Sequence, residues 1–109
     1  MRMAFYGTLR PGGDNHYEIR NIAGTWRRGT VRGWCYDIGW GPADGYPGIT
    51  LSPDAPPVSV DVLESEELEK QLRRIDDFEG PGYRRRSVEV AMDDGTVVSA
   101  EIYEADPEA

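Results

Sequence analysis

The stretch "PVSVDVLESEELEKQLRRIDDFEGPGYRRR", Pro57 to Arg86, changes its hydrophobic period in mid-course. At its start Val58, Val60 and Val62 fall on one side of an extended chain and Ser59 and Asp61 on the other, the period-two pattern of a strand. From about Glu66 to Phe78 the apolar residues Leu68, Leu72, Ile75 and Phe78 recur at spacings of four, three and three, which gathers them into one helical stripe. Ser65 is placed to cap that helix, and Glu66 and Glu67 in its first turn suit the positive end of the dipole. Gly80-Pro81-Gly82 stops it. A single helix set between strands makes the chain a mixed α+β protein, and the segments on either side fill in the strands.

Upstream, "RMAFYGTL" opens on Met3, Ala4, Phe5 and Tyr6 and halts at Gly7, as a buried first strand would. "GTVRGWCYDIG" puts Val31, Gly33 and Cys35 on one parity and Arg32, Trp34 and Tyr36 on the other, so both of its faces are expected to be partly covered. Downstream, "RRSVEVAM" and "TVVSAEIYEA" form two more strands joined by "DDG", where Gly95 tolerates the positive φ of a hairpin turn. At least five strands and one helix follow. Thirteen Gly and eight Pro are dispersed instead of pooled in a linker, as in a turn-rich β protein. The longest irregular stretch, Gly39 to Pro57, carries Trp40 and Tyr46 and is expected to fold over part of the structure. Trp26, Trp34 and Trp40 are expected to fill the core or cover its open ends, with Trp40 the candidate nearest a site.

A chain of 109 residues is sized for one domain, taken as residues 1–109. Its formal net charge of −8 repels phosphate backbones and anionic lipid, so neither nucleic acid nor a membrane is expected as a partner. The short basic runs "WRRG" and "YRRRS" would be splayed by a strand to opposite faces. One cysteine, Cys35, excludes an internal disulfide; its apolar setting suggests a buried thiol and a reducing cytoplasm. No stretch reaches the 18 or so apolar residues of a membrane helix, and "MRMAFYGTLR" has no long apolar run, so a soluble, unexported protein is expected. One His and one Cys fall short of a zinc ligand set, and the carboxylates lack calcium spacing, so no metal is expected. With His16 as the sole histidine and no G-x-S-x-G elbow, a nucleophilic triad is disfavoured; Asn15 and His16 are expected to hydrogen-bond the loop around them.

Two places invite chemistry. Glu79 lies four residues after Ile75 and seven after Leu72, so a helix persisting half a turn carries its carboxylate toward the apolar stripe, where a charge is costly unless paired or used. Either the chain has turned by then, leaving Glu79 exposed or paired with Arg84 or Arg85, or Glu79 is a general acid/base with its pKa raised from about 4.3 toward neutrality. The second place is "FYGTLRPGG". A strand ending in Tyr6-Gly7-Thr8-Leu9 presents consecutive backbone N–H groups in a tight turn, able to hold a carboxylate or an oxyanion.

Taken in order, "FYGTLRPGGDNH", "GYPGI" and "IDDFEGPGYRR" resemble the gamma-glutamylcyclotransferase-like family, including its gamma-glutamylamine cyclotransferase branch, over about Met3 to Tyr103. The resemblance implies a small mixed β-barrel with one main helix and short helical turns. It implies a site at the mouth formed by the YG[ST]L turn, with Glu79 as catalytic acid/base. Tyr6, Gly7, Thr8 and Leu9 match the turn that binds the glutamyl α-carboxylate and α-amino group, and Tyr103 in "EIYEA" matches a late-strand tyrosine bordering the substrate. The implied reaction is attack of the substrate's own α-amine on its γ-glutamyl carbonyl, giving 5-oxoproline and a free amine, with a small-molecule γ-glutamyl substrate as partner and no cofactor. Val60 stands where many members carry Gly, which bears on strand packing. The other function classes are a non-catalytic small-ligand-binding or regulatory domain on the same fold, and a related enzyme that removes a γ-glutamyl protecting group from a biosynthetic intermediate.

Overall fold

The computed structural model describes residues 1–38 and 45–106. Along the chain come β1 (Arg2–Phe5), a 3-10 turn (His16–Glu18), β2 (Thr25–Asp37), β3 (Pro47–Leu51), β4 (Pro57–Glu64), α1 (Leu68–Glu79), β5 (Tyr83–Met92) and β6 (Val97–Ala105). Strands β2, β4, β1, β6 and β5 are neighbours in that order, and β5 returns to β2 through Gly29 opposite Met92 and Thr30 opposite Ala91. That last pairing closes a five-stranded mixed barrel, in which β1 and β6 run parallel and the other pairs antiparallel. β3 pairs with the far end of β2, outside the ring.

The unbroken apolar run Met3-Ala4-Phe5 has a simple cause: β1 is covered on both faces. Ala4 points into the barrel with Val31, Val60, Val62, Val90, Ala100 and Ile102. Met3 and Phe5 point outward, where α1 and the loop after β1 cover them with Leu9, Ile19, Leu68 and Ile75. The same alternation sends Val60 and Val62 of β4 inward and Leu63 outward under the helix. Strands buried on both sides lose the polar alternation that marks a half-exposed sheet.

Closure depends on close approach at Gly29. It lies opposite Val60 on one edge and Met92 on the other. A Cβ there would stand 2.7 Å from Val90 Cγ1 and 2.9 Å from the Ala91 carbonyl oxygen. The missing side chain at Gly29 makes room for Val90, which is completely buried.

Several expectations need correction. The stretch from Gly39 to Pro57 is not irregular throughout, since β3 lies within it, bonded along Gly33–Asp37 of β2. Cys35 is exposed and Trp34 is 54% exposed, neither being core. The reason is that β2 runs thirteen residues, and its last third extends past the barrel, where among the described strands β3 alone pairs with it. Trp26 does pack on the core, tilted against Phe5 at 5.8 Å between ring centres; Trp40 lies outside the described residues. The helix begins at Leu68, not Glu66, and Ser65 is not its N-cap. Ser65 instead accepts the Glu67 N–H at 3.0 Å while donating to the Ala23 carbonyl, a local turn that precedes the helix.

The hairpin at Asp93–Gly95 is as expected, with Gly95 at φ 90°. The basic runs are splayed too. Arg84 and Arg86 reach Glu104 at 3.3 and 3.0 Å on one face of β5, while Arg85 on the other reaches Asp76 and Glu101 at 3.0 and 3.1 Å. Among the described residues no helix is long and apolar enough to cross a membrane.

Replacing Gly29 tests the closure directly. Gly29→Ala must push a backbone carbonyl as well as a side chain, so it is expected to lower unfolding free energy by about 1–3 kcal/mol in urea titration. An unchanged midpoint would mean that the β2–β5 contact is looser than this packing requires.

Candidate functional site

Where β1 ends, the barrel opens into a pocket of about 300 Å³. One wall is the turn Tyr6–Leu9. Its carbonyls are engaged locally: Gly7 O accepts the Arg10 N–H at 3.3 Å and Thr8 O accepts the Asn15 N–H at 2.9 Å. Asn15 Nδ2 also donates to Thr8 Oγ1 at 2.9 Å, and His16 Nδ1 donates to Leu9 O at 2.8 Å. Asn15 and His16 thus hold the loop, as expected. No backbone carbonyl among the described residues accepts from the N–H groups of Gly7, Thr8 or Leu9. Gly7 lets the turn lie against the opposite wall, since a Cβ there would stand 3.1 Å from Pro47 Cγ.

Tyr6 has the inward parity of Ala4, so its ring lies in the mouth of the barrel. Its hydroxyl donates to the Tyr103 carbonyl at 2.6 Å and accepts the Ile49 N–H at 3.2 Å, spanning β1, β6 and β3. Burial, reinforced by Tyr83 and Glu79, holds that hydroxyl far above the ordinary tyrosine pKa, so it is a fixed hydrogen-bonding group, not a proton carrier. Tyr103 has the opposite parity and packs under α1, where its hydroxyl donates to Asp76 Oδ1 at 2.6 Å. Burial and that bond likewise push its pKa up. Tyr83 donates to the Pro47 carbonyl at 2.6 Å, which anchors the segment carrying Tyr46 against β5. Burial first, then Glu79 and Tyr46, push Tyr83 up to about 12.

Glu79 is the last residue of α1. The helix holds its course to that point because Gly80 takes φ 78° and gives its N–H to Asp76 O at 3.0 Å, ending the helix one residue later. Consequently Glu79 is carried toward the apolar side and lines the pocket with the Tyr6–Leu9 turn and Tyr103. The arginines that could have neutralised it are occupied elsewhere, Arg84 by Glu104 and Arg85 by Asp76 and Glu101. Burial, with the Asp76 charge adding to it, raises the Glu79 carboxyl from 4.5 to about 7.

All six residues singled out in the sequence, Tyr6, Gly7, Thr8, Leu9, Glu79 and Tyr103, therefore line one pocket. Other lining residues were not assigned to the site. Phe78 was assigned to the core stripe, but it is 40% exposed and borders the pocket. Tyr46 was expected only in a stretch that folds over the structure, and Pro47 and Tyr83 only as parts of quoted motifs; none was assigned to the site, because their convergence depends on β3, which the sequence conceals. Asp76 had a readable signal, standing three residues before Glu79 on the same helical side. Among the described residues no cluster of His, Cys, Asp or Glu could hold a metal.

A family model described as gamma-glutamyl cyclotransferase, AIG2-like, matches residues 3–109. Among solved structures, the chain is similar to an AIG2-like protein from Mus musculus, with 25% identity and a TM-score of 0.74, covering 99% of this chain and 78% of that one. It is similar at the same identity and TM-score to YkqA from Bacillus subtilis, over 96% of this chain but 35% of that longer protein. A structure titled gamma-glutamyl cyclotransferase shares the fold, with a TM-score of 0.66 at 19% identity, over 97% of this chain and 68% of that one. No curated protein sequence matches.

The buried carboxyl has a signature in stability that needs no substrate. A folded-state pKa near 7, above the ordinary 4.5, gives a contribution that is intact below about pH 4.5 and lost as pH rises through about 7. Ionised Glu79 should then cost on the order of 3 kcal/mol at pH 8. Glu79→Gln cannot ionise. It is expected to match the wild type in Tm at pH 4.5 and to exceed it at pH 8; parallel curves across that range would place the carboxylate in water instead.

Proposed function

The chain belongs to the gamma-glutamyl cyclotransferase, AIG2-like family, and on that premise we propose that it converts a γ-glutamyl amine or peptide to 5-oxoproline and a free amine. The observation that carries the reading is Glu79: a carboxyl with a pKa near 7, with no arginine paired to it, in the same pocket as the N–H groups of Gly7, Thr8 and Leu9, which no backbone carbonyl among the described residues accepts.

In this reading the turn N–H groups receive the substrate's α-carboxylate, drawing the glutamyl chain back on itself so that its α-nitrogen meets its γ-carbonyl carbon. The α-ammonium gives one proton to Glu79, and the freed amine attacks. A C–N bond forms to close the five-membered ring, and the γ-amide C–N bond breaks. Glu79 returns its proton to the departing nitrogen as that bond breaks. The ring nitrogen sheds its second proton to water, and the released amine takes one up there, so protons balance. A single group with a pKa near the working pH is suited to both transfers, because neither accepting nor returning the proton is far uphill. Tyr6 and Tyr103 position the walls, one bonded across the mouth and the other to Asp76. A domain that only binds an amino acid has little use for a buried acid poised in this way, which favours the enzyme over the regulatory reading.

The test is mass-spectrometric measurement of 5-oxoproline and free glutamate from a panel of γ-glutamyl amines and dipeptides. The wild type should release 5-oxoproline, and Glu79→Gln should lower kcat by roughly 10²- to 10⁴-fold while keeping its fold. Release of glutamate would identify water as the nucleophile. Because Glu79 must be ionised to accept the first proton, kcat/KM is expected to rise with pH through a limb centred near 7. A flat profile between pH 5.5 and 8 would remove Glu79 from that role.

A further inference from the structure

Asp61 is a buried carboxylate that the chemistry above leaves unused. It is 8% exposed and lies in β4, directly opposite Phe5 of β1 on one edge and Arg28 of β2 on the other. Phe5 is the last residue of β1, so Asp61 stands beside the point where the Tyr6–Leu9 turn leaves the strand. Two guanidinium groups meet its carboxylate. Arg10 Nε donates to Oδ2 at 2.8 Å, and Arg28 Nε to Oδ1 at 3.3 Å. A carboxylate taken out of water is costly without such partners. Of the two arginines only Arg10 belongs to the loop that carries the turn, and neither Arg10 nor Asp61 lines the pocket.

Arg10 is where that loop is tied. Its N–H donates to Gly7 O at 3.3 Å and its carbonyl accepts the Gly13 N–H at 2.7 Å. The winding is tight enough that a Cβ on Gly13 would stand 2.3 Å from Thr8 O and 3.0 Å from Arg10 O. Peptide planarity makes these bonds directional, because in a trans peptide the carbonyl of one residue and the N–H of the next point opposite ways from one rigid plane. Holding Gly7 O therefore fixes the direction of the Thr8 N–H, and holding Thr8 O, through the Asn15 N–H, fixes that of Leu9. The bond to Gly7 O is the longer, at 3.3 Å against 2.9 Å, so the Thr8 N–H depends more on a second anchor for Arg10. Asp61 supplies that anchor.

Resting on the cyclotransferase reading above, we infer that Asp61 is a positioning residue: acting through Arg10, it holds the turn so that the Thr8 N–H faces the substrate's α-carboxylate. Arg28 bonds the same carboxylate from β2, outside the turn, and serves as the internal control.

The test uses Asp61→Asn, which keeps shape and drops charge, Arg10→Met, the double variant, and Arg28→Met. Each single cut of the Arg10–Asp61 contact is expected to raise KM for a γ-glutamyl substrate by roughly 10-fold. The double variant should do no worse than the more severe single one, since both remove one contact. Arg28→Met, at a largely exposed side chain, should leave KM within about twofold. The limb of kcat/KM near pH 7 should stay in place in all four, because Glu79 is untouched. Without substrate, amide exchange followed by NMR should quicken at Arg10 and Gly13 in Asp61→Asn and Arg10→Met, by roughly 10-fold, and not in Arg28→Met. Wild-type KM and exchange in Arg10→Met overturn the inference, even where Asp61→Asn does not fold. So do equal effects in Arg28→Met, which would make Asp61 a general stabiliser, and a displaced pH limb, which would make it an electrostatic influence on Glu79. If no γ-glutamyl compound yields 5-oxoproline, the cyclotransferase reading fails and the exchange rates alone decide whether Asp61 anchors the turn.

Discussion

Burial of β1 on both faces is the constraint from which the rest of the structure follows. The strand is only four residues long, yet it pairs with β4 on one edge and β6 on the other and separates two apolar clusters. Ala4 belongs to the barrel interior, while Met3 and Phe5 belong to the layer beneath α1. The turn that follows inherits this placement. Tyr6 continues the inward parity and reaches the mouth, and the N–H groups of Gly7 to Leu9 emerge where barrel, helix and β3 meet. Shifting the strand by one residue would exchange the two faces and send Tyr6 under the helix, away from the mouth.

The helix is tied to the same point from the other side. Asp76, three residues before the end of α1, accepts the Tyr103 hydroxyl and pairs with Arg85 of β5, so the helix terminus is fixed to two barrel strands by charge-assisted bonds. Tyr103 in turn receives the Tyr6 hydroxyl at its carbonyl. One chain of contacts thus runs from the helix end through β6 to the turn after β1. Glu79 and the turn N–H groups share a pocket because these bonds hold their supports together, although the two are at least seventy residues apart in sequence.

What could be read from the sequence is whatever local pattern alone decides. The alternation of Val58, Val60 and Val62, the stripe of Leu68, Leu72 and Ile75, the Asp-Gly hairpin and the apolar run of β1 each survive as elements. The position of Glu79 was readable as two alternatives, and the geometry of Gly80 is what separates them, since it lets the helix reach Glu79 before the chain turns. What was hidden depends on partners distant in sequence. "PGITL" resembles a loop because Pro and Gly open it, and it becomes a strand only when β2 supplies the pairing. The exposure of Trp34 and Cys35 follows from β2 outrunning the barrel, and nothing in their own neighbourhood announces where the barrel ends. The closing contact at Gly29 is likewise invisible until Val90, Ala91 and Met92 of β5 are seen to converge on it.

The end of α1 gathers Asp76, Asp77 and Glu79 where the helix dipole disfavours negative charge, and there is no basic residue in the last turn to offset it. Arg85 relieves Asp76 from outside the helix, and Asp77 is exposed to water. Glu79 has neither remedy. Its partial relief is to hold a proton, which is the same property that suits it to proton transfer. The arrangement is unfavourable for the helix considered alone and is held in place by the two apolar clusters on either side of β1, so the fold, not the helix, carries the cost of the acid.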